Sequence, residues 1–256
     1  STNAMRAVRS DILTGPVLNQ ANHVADDMND PTQAHAAAIA DAHQNRFWMD
    51  AIMYGTYPQI LIDNYGDELT SVIKDGDMQA AMVKNDFIGI NYYFDNRIGK
   101  SLGGKPEWHS ISGLFEQDID ETPRGPLTDM GWPLTPEGLE NLLVRWHKEH
   151  GEKLPDLYIT ENGCAYGDGP GPDGAVHDPK RIDYLSTHLK AISSAIAQGS
   201  PVKGYYQWSL MDNFEWALGY EKRFGIVHVD FDTQKRTIKD SGYWYRDQIK
   251  NNGSTI

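Results

Sequence analysis

Two carboxylates stand where an alternating strand–helix chain would do chemistry. Glu161 follows a short β-rich run in Tyr158-Ile159-Thr160-Glu161-Asn162-Gly163, and Glu215 lies in Trp208-Ser209-Leu210-Met211-Asp212-Asn213-Phe214-Glu215-Trp216 after another. In a parallel barrel both would sit at C-terminal strand ends, the face on which such barrels build active sites. A lone Glu after a strand is as readily a solvated loop residue. The second segment weighs against that reading. A pyranose ring has an apolar C–H face and a hydroxyl rim: Trp supplies a flat apolar partner, while Glu and the indole N–H bond hydroxyls. Core packing accounts for one of Trp208 and Trp216, but poorly for a Glu held between aromatic residues.

The elements that would position these groups repeat four times. Apolar, β-rich runs occur at Ile12–Asn19, Phe87–Tyr93, Leu157–Thr160 and Val202–Trp208. Between them, Asp30-Pro31 opens an Ala-rich helical stretch to about Tyr54, stopped by Gly55 and Pro58. After a long connection Thr135-Pro136 opens a helix with Leu139, Leu142, Leu143 and Trp146 at helical spacing, closed at Gly151. Asp178-Pro179 caps another, with Ile182, Leu185, Leu189, Ile192 and Ile196 as its apolar positions, and a short helix spans Tyr243–Ile249. Strands alternating with amphipathic helices predict βαβ units and a parallel sheet. The length of 256 residues would fit a whole (β/α)8 barrel of about 250 residues, yet only four βα units are found. The topology therefore predicts half a barrel. Ser1–Ala4 before Met5 reads as a cloning remnant, which leaves residues 5–256 as one domain.

Composition narrows the partners. With 36 acidic against 23 basic residues the chain is a poor match for nucleic acid or an anionic membrane, and its apolar runs are too short to span a bilayer. A single cysteine, Cys164, forbids an intrachain disulfide and fits a cytoplasmic setting; the thiol is expected to be packed and unreactive. Gly169-Pro170-Gly171-Pro172-Asp173-Gly174 satisfies a dinucleotide-loop spacing, but two prolines remove phosphate donors, so a surface loop is expected. His147 and His150 lack a carboxylate ligand set and read as a solvated helix end, so no metal is expected.

Ile159 to Gly163 and Trp208 to Trp216 resemble the nucleophile and sugar-binding signatures of family 1 glycoside hydrolases, the β-glucosidases and their relatives. Phe87–Tyr93 is similar to the family's sixth-strand motif, Asp129-Met130-Gly131-Trp132 to its aglycone-side segment, and Lys222–Val227 and Lys239-Asp240-Ser241 to its closing segments. The likeness runs from about Ile12 to Ile249. It implies the C-terminal half of a TIM-type barrel, strands five to eight, and a retaining β-glycosidase that needs no cofactor. Glu161 would be the nucleophile, with Tyr93 and Asn91 beside it. Trp208 would stack under the sugar, Glu215 and Trp216 would bind its distal hydroxyls, and Phe224 and Trp132 would form walls.

The chain also departs from the family. The acid/base Glu belongs to an Asn-Glu-Pro motif, which these residues do not contain, and the Gln and His-Trp pair of strands one and three are missing as well. A retaining mechanism needs two carboxyl groups about 5–5.5 Å apart, so this chain by itself is expected to be nearly inactive. A non-catalytic sugar-binding half-barrel and a 6-phospho-β-glycosidase are the competing expectations; Trp216 disfavours the second, while Lys222 and Arg223 keep it open. Partners are expected to be a β-glucoside or oligosaccharide and either the other barrel half or a second copy of the chain.

Overall fold

Each of the four apolar runs becomes a strand in the computed structural model, which describes residues 2–98 and 126–256. They are β1 (Val17–Asn19), β3 (Phe87–Asn91), β5 (Asp156–Asn162) and β6 (Val202–Gln207), all parallel and in the order β1-β3-β5-β6. No barrel closes among the described residues. β2 (His23–Ala25) and β4 (Asn96–Ile98) form a separate parallel pair, and β7 (Val227–Val229) and β8 (Arg236–Ile238) an antiparallel hairpin. Part of the long connection after Tyr93 lies outside the described residues.

Strand limits differ from expectation for local reasons. β1 is shorter than Ile12–Asn19: Pro16 has no N–H for the ladder, and Gly15 lies so close to the Phe87 backbone that a side chain would overlap it. β3 ends at Asn91 and β6 at Gln207, one or two residues early. β5 runs on through Asn162, held by Tyr92 N–H donating to Glu161 O at 2.9 Å and Trp208 N–H to Asn162 O at 3.0 Å. Glu161 therefore lies within the strand's last pair of residues, on rigid backbone.

The helices cover one face of the sheet. Leu18, Ile88, Ile90, Leu157, Ile159 and Val202 pack against Leu139, Leu142, Leu143 and Trp146 of α7 (Pro136–His150) and against Ile192 and Ala195 of α8 (Pro179–Ala197). Burying six such aliphatic side chains contributes on the order of 10 kcal/mol before chain entropy is counted. The Asp30–Tyr54 stretch is helical throughout, as α2 (Pro31–Asp41), a π-helical turn at Ala42–Arg46 and α3 (Phe47–Tyr54). Asp30 Oδ1 accepts from Thr32 N–H at 2.9 Å, and Gly55 ends the run at φ 65°.

α1 (Thr2–Val8) begins inside the segment read as a cloning remnant and is tied to the sheet by Arg6–Asp86 at 2.7 Å. α4 (Gln59–Tyr65), α5 (Asp67–Thr70) and α6 (Asp77–Ala81) fill a stretch without a clear sequence signal, and α9 (Asp240–Lys250) closes the chain.

Three local readings are corrected. The buried stripe of α8 runs through Arg181, Tyr184, Leu185, His188, Ala191, Ile192 and Ala195, while Ile196 is 47% exposed. Asp178 makes no side-chain cap to α8, because its carboxylate serves Arg181 and Ser241 instead. His150 is not solvated. It is buried, stacks on Trp146 at 5.2 Å and hydrogen-bonds the Tyr54 hydroxyl through Nδ1 at 2.7 Å.

The 169–174 loop lies on the surface as expected and is fastened at its end. His177 Nδ1 lies 2.6 Å from Asp240 Oδ2 and Nε2 lies 3.0 Å from Asp173 Oδ2. Bonds to Asp240 and then Asp173 raise the His177 pKa to about 8. A folded pKa above the unfolded value of 6.5 places this contribution to stability fully below pH 6.5, and it fades as pH rises through 8. NMR titration should find His177 still protonated at pH 7, and His177→Gln should flatten the fall in thermal stability between pH 6.5 and 8.5.

Candidate active site

The ends of β3, β5 and β6 converge on a cleft of about 290 Å3 lined by Tyr93, Trp132, Glu161, Trp208, Glu215, Trp216 and Phe224. Seven of the eight site residues singled out in the sequence thus face one space. Asn91 does not line it. A register shift between Ile90 and Asn91 sets Asn91 opposite Glu161, and its Oδ1 accepts from the Thr160 hydroxyl at 2.7 Å. Asn91 therefore braces the strand end that carries Glu161.

Close packing of backbone fixes the spacing of the strand ends. Gly89 faces Val17 and Thr160 so tightly that a β-carbon would press on both. Gly163 abuts the Trp208 carbonyl with no room for any side chain, and the Trp208–Ser209 peptide is cis. Only glycine fits at either place.

Glu161 is held by the Tyr93 hydroxyl, which donates to Oε2 at 2.7 Å. Burial, then the bond to Glu161 and its charge, push the Tyr93 phenol far above its ordinary value, so it stays a donor throughout the physiological range. Tyr93, Trp132 and Phe224 pack as a wall, with ring centroids 5.2 Å apart for Tyr93–Trp132 and 6.0 Å for Trp132–Phe224.

Across the cleft, Glu215 has its pKa raised, first by burial and then by the charge of Glu161, against the lowering effect of a hydrogen bond from Trp208. Its Oε2 is buried without a hydrogen-bond partner among the described residues. Buried polar oxygens are rarely left so, and an unpaired acceptor in a cleft matches a ligand donor. Glu215 N–H donates to Gly219 O at 2.6 Å, closing a tight turn that holds Trp216 at φ 42° with 81% of its surface exposed. A bulky residue in the left-handed region is uncommon, and such outliers cluster at ligand sites.

Beneath the cleft lies a charge cluster the sequence reading did not anticipate. Arg181, fully buried, is paired with Asp168 and, at 3.0 Å, with Asp178; it also donates to the backbone carbonyls of Cys164, Phe224 and Arg223. Lys239 reaches Asp212 at 3.3 Å and Asp168 at 3.4 Å, and Arg223 pairs with Asp212 at 2.7 Å. Ser241 donates from its backbone N–H to Asp178 at 2.8 Å. Three cations face three carboxylates, so the cluster is neutral. The one signal in the sequence was Arg181 itself, a charge at a stripe position of α8. Cys164 is buried beside it, its thiol pushed up to about 12 by burial, consistent with a packed, unreactive residue. No group able to hold a metal occurs among the described residues.

Comparison with known proteins fits this arrangement. The model of glycosyl hydrolase family 1 matches residues 1–254, and the chain belongs to that family. It is 44% identical to beta-glucosidase A of Thermotoga maritima over 80% of this chain and 43% of the relative, and 38% identical to a 6-phospho-beta-galactosidase of Leptotrichia buccalis over 86% and 50%. The crystal structure of the psychrophilic beta-glucosidase BglU from Micrococcus antarcticus superposes with a TM-score of 0.87 at 39% identity, covering 98% of this chain and 55% of that one. The chain spans about half the length of these relatives.

Asp178 allows the cluster to be tested. Asp178→Ala should leave the buried Arg181 guanidinium short of a partner and lower the unfolding free energy by about 3–5 kcal/mol. Asp240→Ala, at the exposed His177 contact, should fall within the scatter of surface substitutions. Urea titrations of the two variants check the contrast.

Proposed function

We propose that this chain carries the nucleophile side of a retaining β-glycosidase site acting on β-linked glucosides or closely related β-glycosides. The observation that supports it most is Glu161 at a strand end, oriented by Tyr93 and facing Glu215 across an aromatic cleft. In the double displacement, a Glu161 oxygen attacks the anomeric carbon as the bond to the leaving oxygen breaks, giving a glycosyl ester that water then hydrolyses. The bond from Tyr93 holds the carboxylate in one orientation before attack. Trp208 and Trp216 offer flat faces to the sugar's C–H groups. The unpaired Oε2 of Glu215 accepts from its hydroxyls.

Protonation of the leaving oxygen is a separate matter. The sequence contains no Asn-Glu-Pro segment, and the binding role of Glu215 leaves it unsuited to be the acid. The chain alone is therefore proposed to act only where the leaving group needs no proton.

The phosphorylated-sugar alternative loses ground on two contacts. Lys222 Nζ donates to Asp129 O at 2.8 Å, and Arg223 is held by Asp212 and by Val229 O at 2.9 Å. Both candidate phosphate cations are engaged within the protein. No helix among the described residues is long and apolar enough to cross a membrane, and a cytoplasmic setting remains our reading.

Incubation with a 2-deoxy-2-fluoroglucoside bearing a dinitrophenolate leaving group should add one fluorosugar to the Glu161 peptide, read by mass spectrometry. Glu161→Gln should abolish the adduct. Labelling elsewhere, or undiminished labelling of the variant, would remove Glu161 from this role. With cellobiose the purified chain should show negligible turnover, and robust hydrolysis would mean that the chain holds an acid after all.

A second expectation concerns Tyr93. Tyr93→Phe keeps the ring wall but deletes the donor, so adduct formation should slow by about 10- to 100-fold. Stopped-flow release of dinitrophenolate measures it.

A further inference from the structure

Glu161 stands where β5 carries one residue more than either of its neighbours. Ile90 and Asn91, consecutive in β3, face Ile159 and Glu161, so that Thr160 is passed over. On the other side Tyr205 and Gln207 of β6, two residues apart, face Ile159 and Asn162, which are three apart. An extra residue of this kind re-aims a side chain and interrupts the ladder that would otherwise hold it. The direction of Glu161 therefore depends on bonds other than the regular ones.

The side chain of Asn162 supplies such bonds. It is fully buried, its Nδ2 donates to Tyr92 O at 2.8 Å and to the Tyr184 hydroxyl at 3.0 Å, and its Oδ1 accepts from the Tyr205 hydroxyl at 2.9 Å. Tyr92 N–H donates to Glu161 O at 2.9 Å, so both backbone groups of Tyr92 are clasped by the end of β5. The Tyr184 hydroxyl in turn donates to Tyr93 O at 3.4 Å. Burial holds the Tyr184 and Tyr205 phenols well above their ordinary values, so both remain protonated. One amide thus joins β3, β5, β6 and α8.

This clasp adjoins the bond that orients the carboxylate. Tyr93 donates to Glu161 at 2.7 Å across two strands, and that distance holds only while their ends keep their places. Asn162 follows Glu161 in the chain and bonds the residue that precedes Tyr93. It lines no part of the cleft, so any effect it has on a ligand passes through its neighbours.

We infer that Asn162 is a positioning residue: by fixing the end of β3 against the bulged end of β5, it keeps the Tyr93 hydroxyl on the Glu161 carboxylate. The inference rests on the nucleophile role proposed for Glu161. A displacement of about 1 Å at a reacting group costs on the order of 100-fold in rate, so even a small loosening of the clasp is measurable.

The test is a double-mutant cycle on the purified full chain, read as the rate at which the fluoroglucoside labels Glu161. Asn162→Ala should slow labelling at saturating reagent by about 10-fold or more, while the reagent concentration giving half the maximal rate changes by less than about 2-fold. In a Tyr93→Phe background the same substitution should cost less than about 3-fold, because the bond it serves is already gone. Equal losses in the two backgrounds, or a loss confined to reagent binding, would make Asn162 an ordinary core residue and overturn the inference. If Asn162→Ala does not fold, Tyr205→Phe takes its place in the cycle, since it deletes one of the three bonds and keeps the ring; the same pattern is expected. NMR of tyrosine isotopically labelled at Cζ adds a readout that needs no reaction. The Tyr93 signal, identified by its loss in Tyr93→Phe, should move toward that of a water-bonded phenol when Asn162 or its Tyr205 partner is changed, and an unmoved signal overturns the inference. A wild-type chain that takes no label counts against the role of Glu161, and the Tyr93 signal then decides the part played by Asn162.

Discussion

The guanidinium of Arg181 is the constraint on which the cleft depends. It comes from α8, behind the sheet, yet it grips the carbonyls of Cys164, Arg223 and Phe224, which belong to two loops that cross the strand ends. Through Asp168 and Asp178 it also ties in Lys239 and Ser241 from the last connection of the chain. A buried charge is costly unless every partner is in place, which makes such a cluster a poor source of net stability and a strong selector of one arrangement. Here the arrangement selected fixes Phe224 against Trp132 and Tyr93, and so shapes the wall opposite Glu215.

The two carboxylates of the cleft are set apart by their surroundings. Glu161 has a fixed donor in Tyr93 and sits on a strand end braced by the Asn91–Thr160 bond. Glu215 sits on a tight turn among aromatic rings, with an oxygen left unpaired and its proton held more firmly by burial. One carboxylate is held in a fixed geometry, and the other keeps an acceptor oxygen unpaired. The division follows from backbone: ladder hydrogen bonds position the first, and a loop positions the second.

Much of this was legible in the sequence because it depends on local order. The Ile159–Gly163 and Trp208–Trp216 segments placed Glu161, Trp208, Glu215 and Trp216 correctly in one cleft, and helical periodicity found Leu139, Leu142, Leu143 and Trp146. What escaped was set by contacts distant in the chain. Asn91 was expected beside Glu161 and is set opposite it, but that its Oδ1 is taken up by the Thr160 hydroxyl depends on a register shift that residue order does not show. Asp178 has the sequence of a helix cap, but Ser241, 63 residues later, claims its oxygens. His150 looked solvated at the end of α7 until Tyr54 and Trp146 closed over it. Periodicity alone could not show that Arg181 belongs to the buried stripe of α8, since charge argued the opposite.

Gly163 limits the chain's freedom to change. It lies two residues past Glu161, and its hydrogen stands where any other residue would drive a carbon into the Trp208 carbonyl. The position lines no part of the cleft, yet the room left to it is narrower than that left to Glu161, for which a shorter acid is at least sterically conceivable. Two neighbouring strand ends are thereby locked in register by an absence of matter. In a lineage of such proteins, drift at Gly163 would be halted by volume where drift at Glu161, in the role proposed for it, would be halted by reactivity, and an inventory of invariant positions would not tell the two apart.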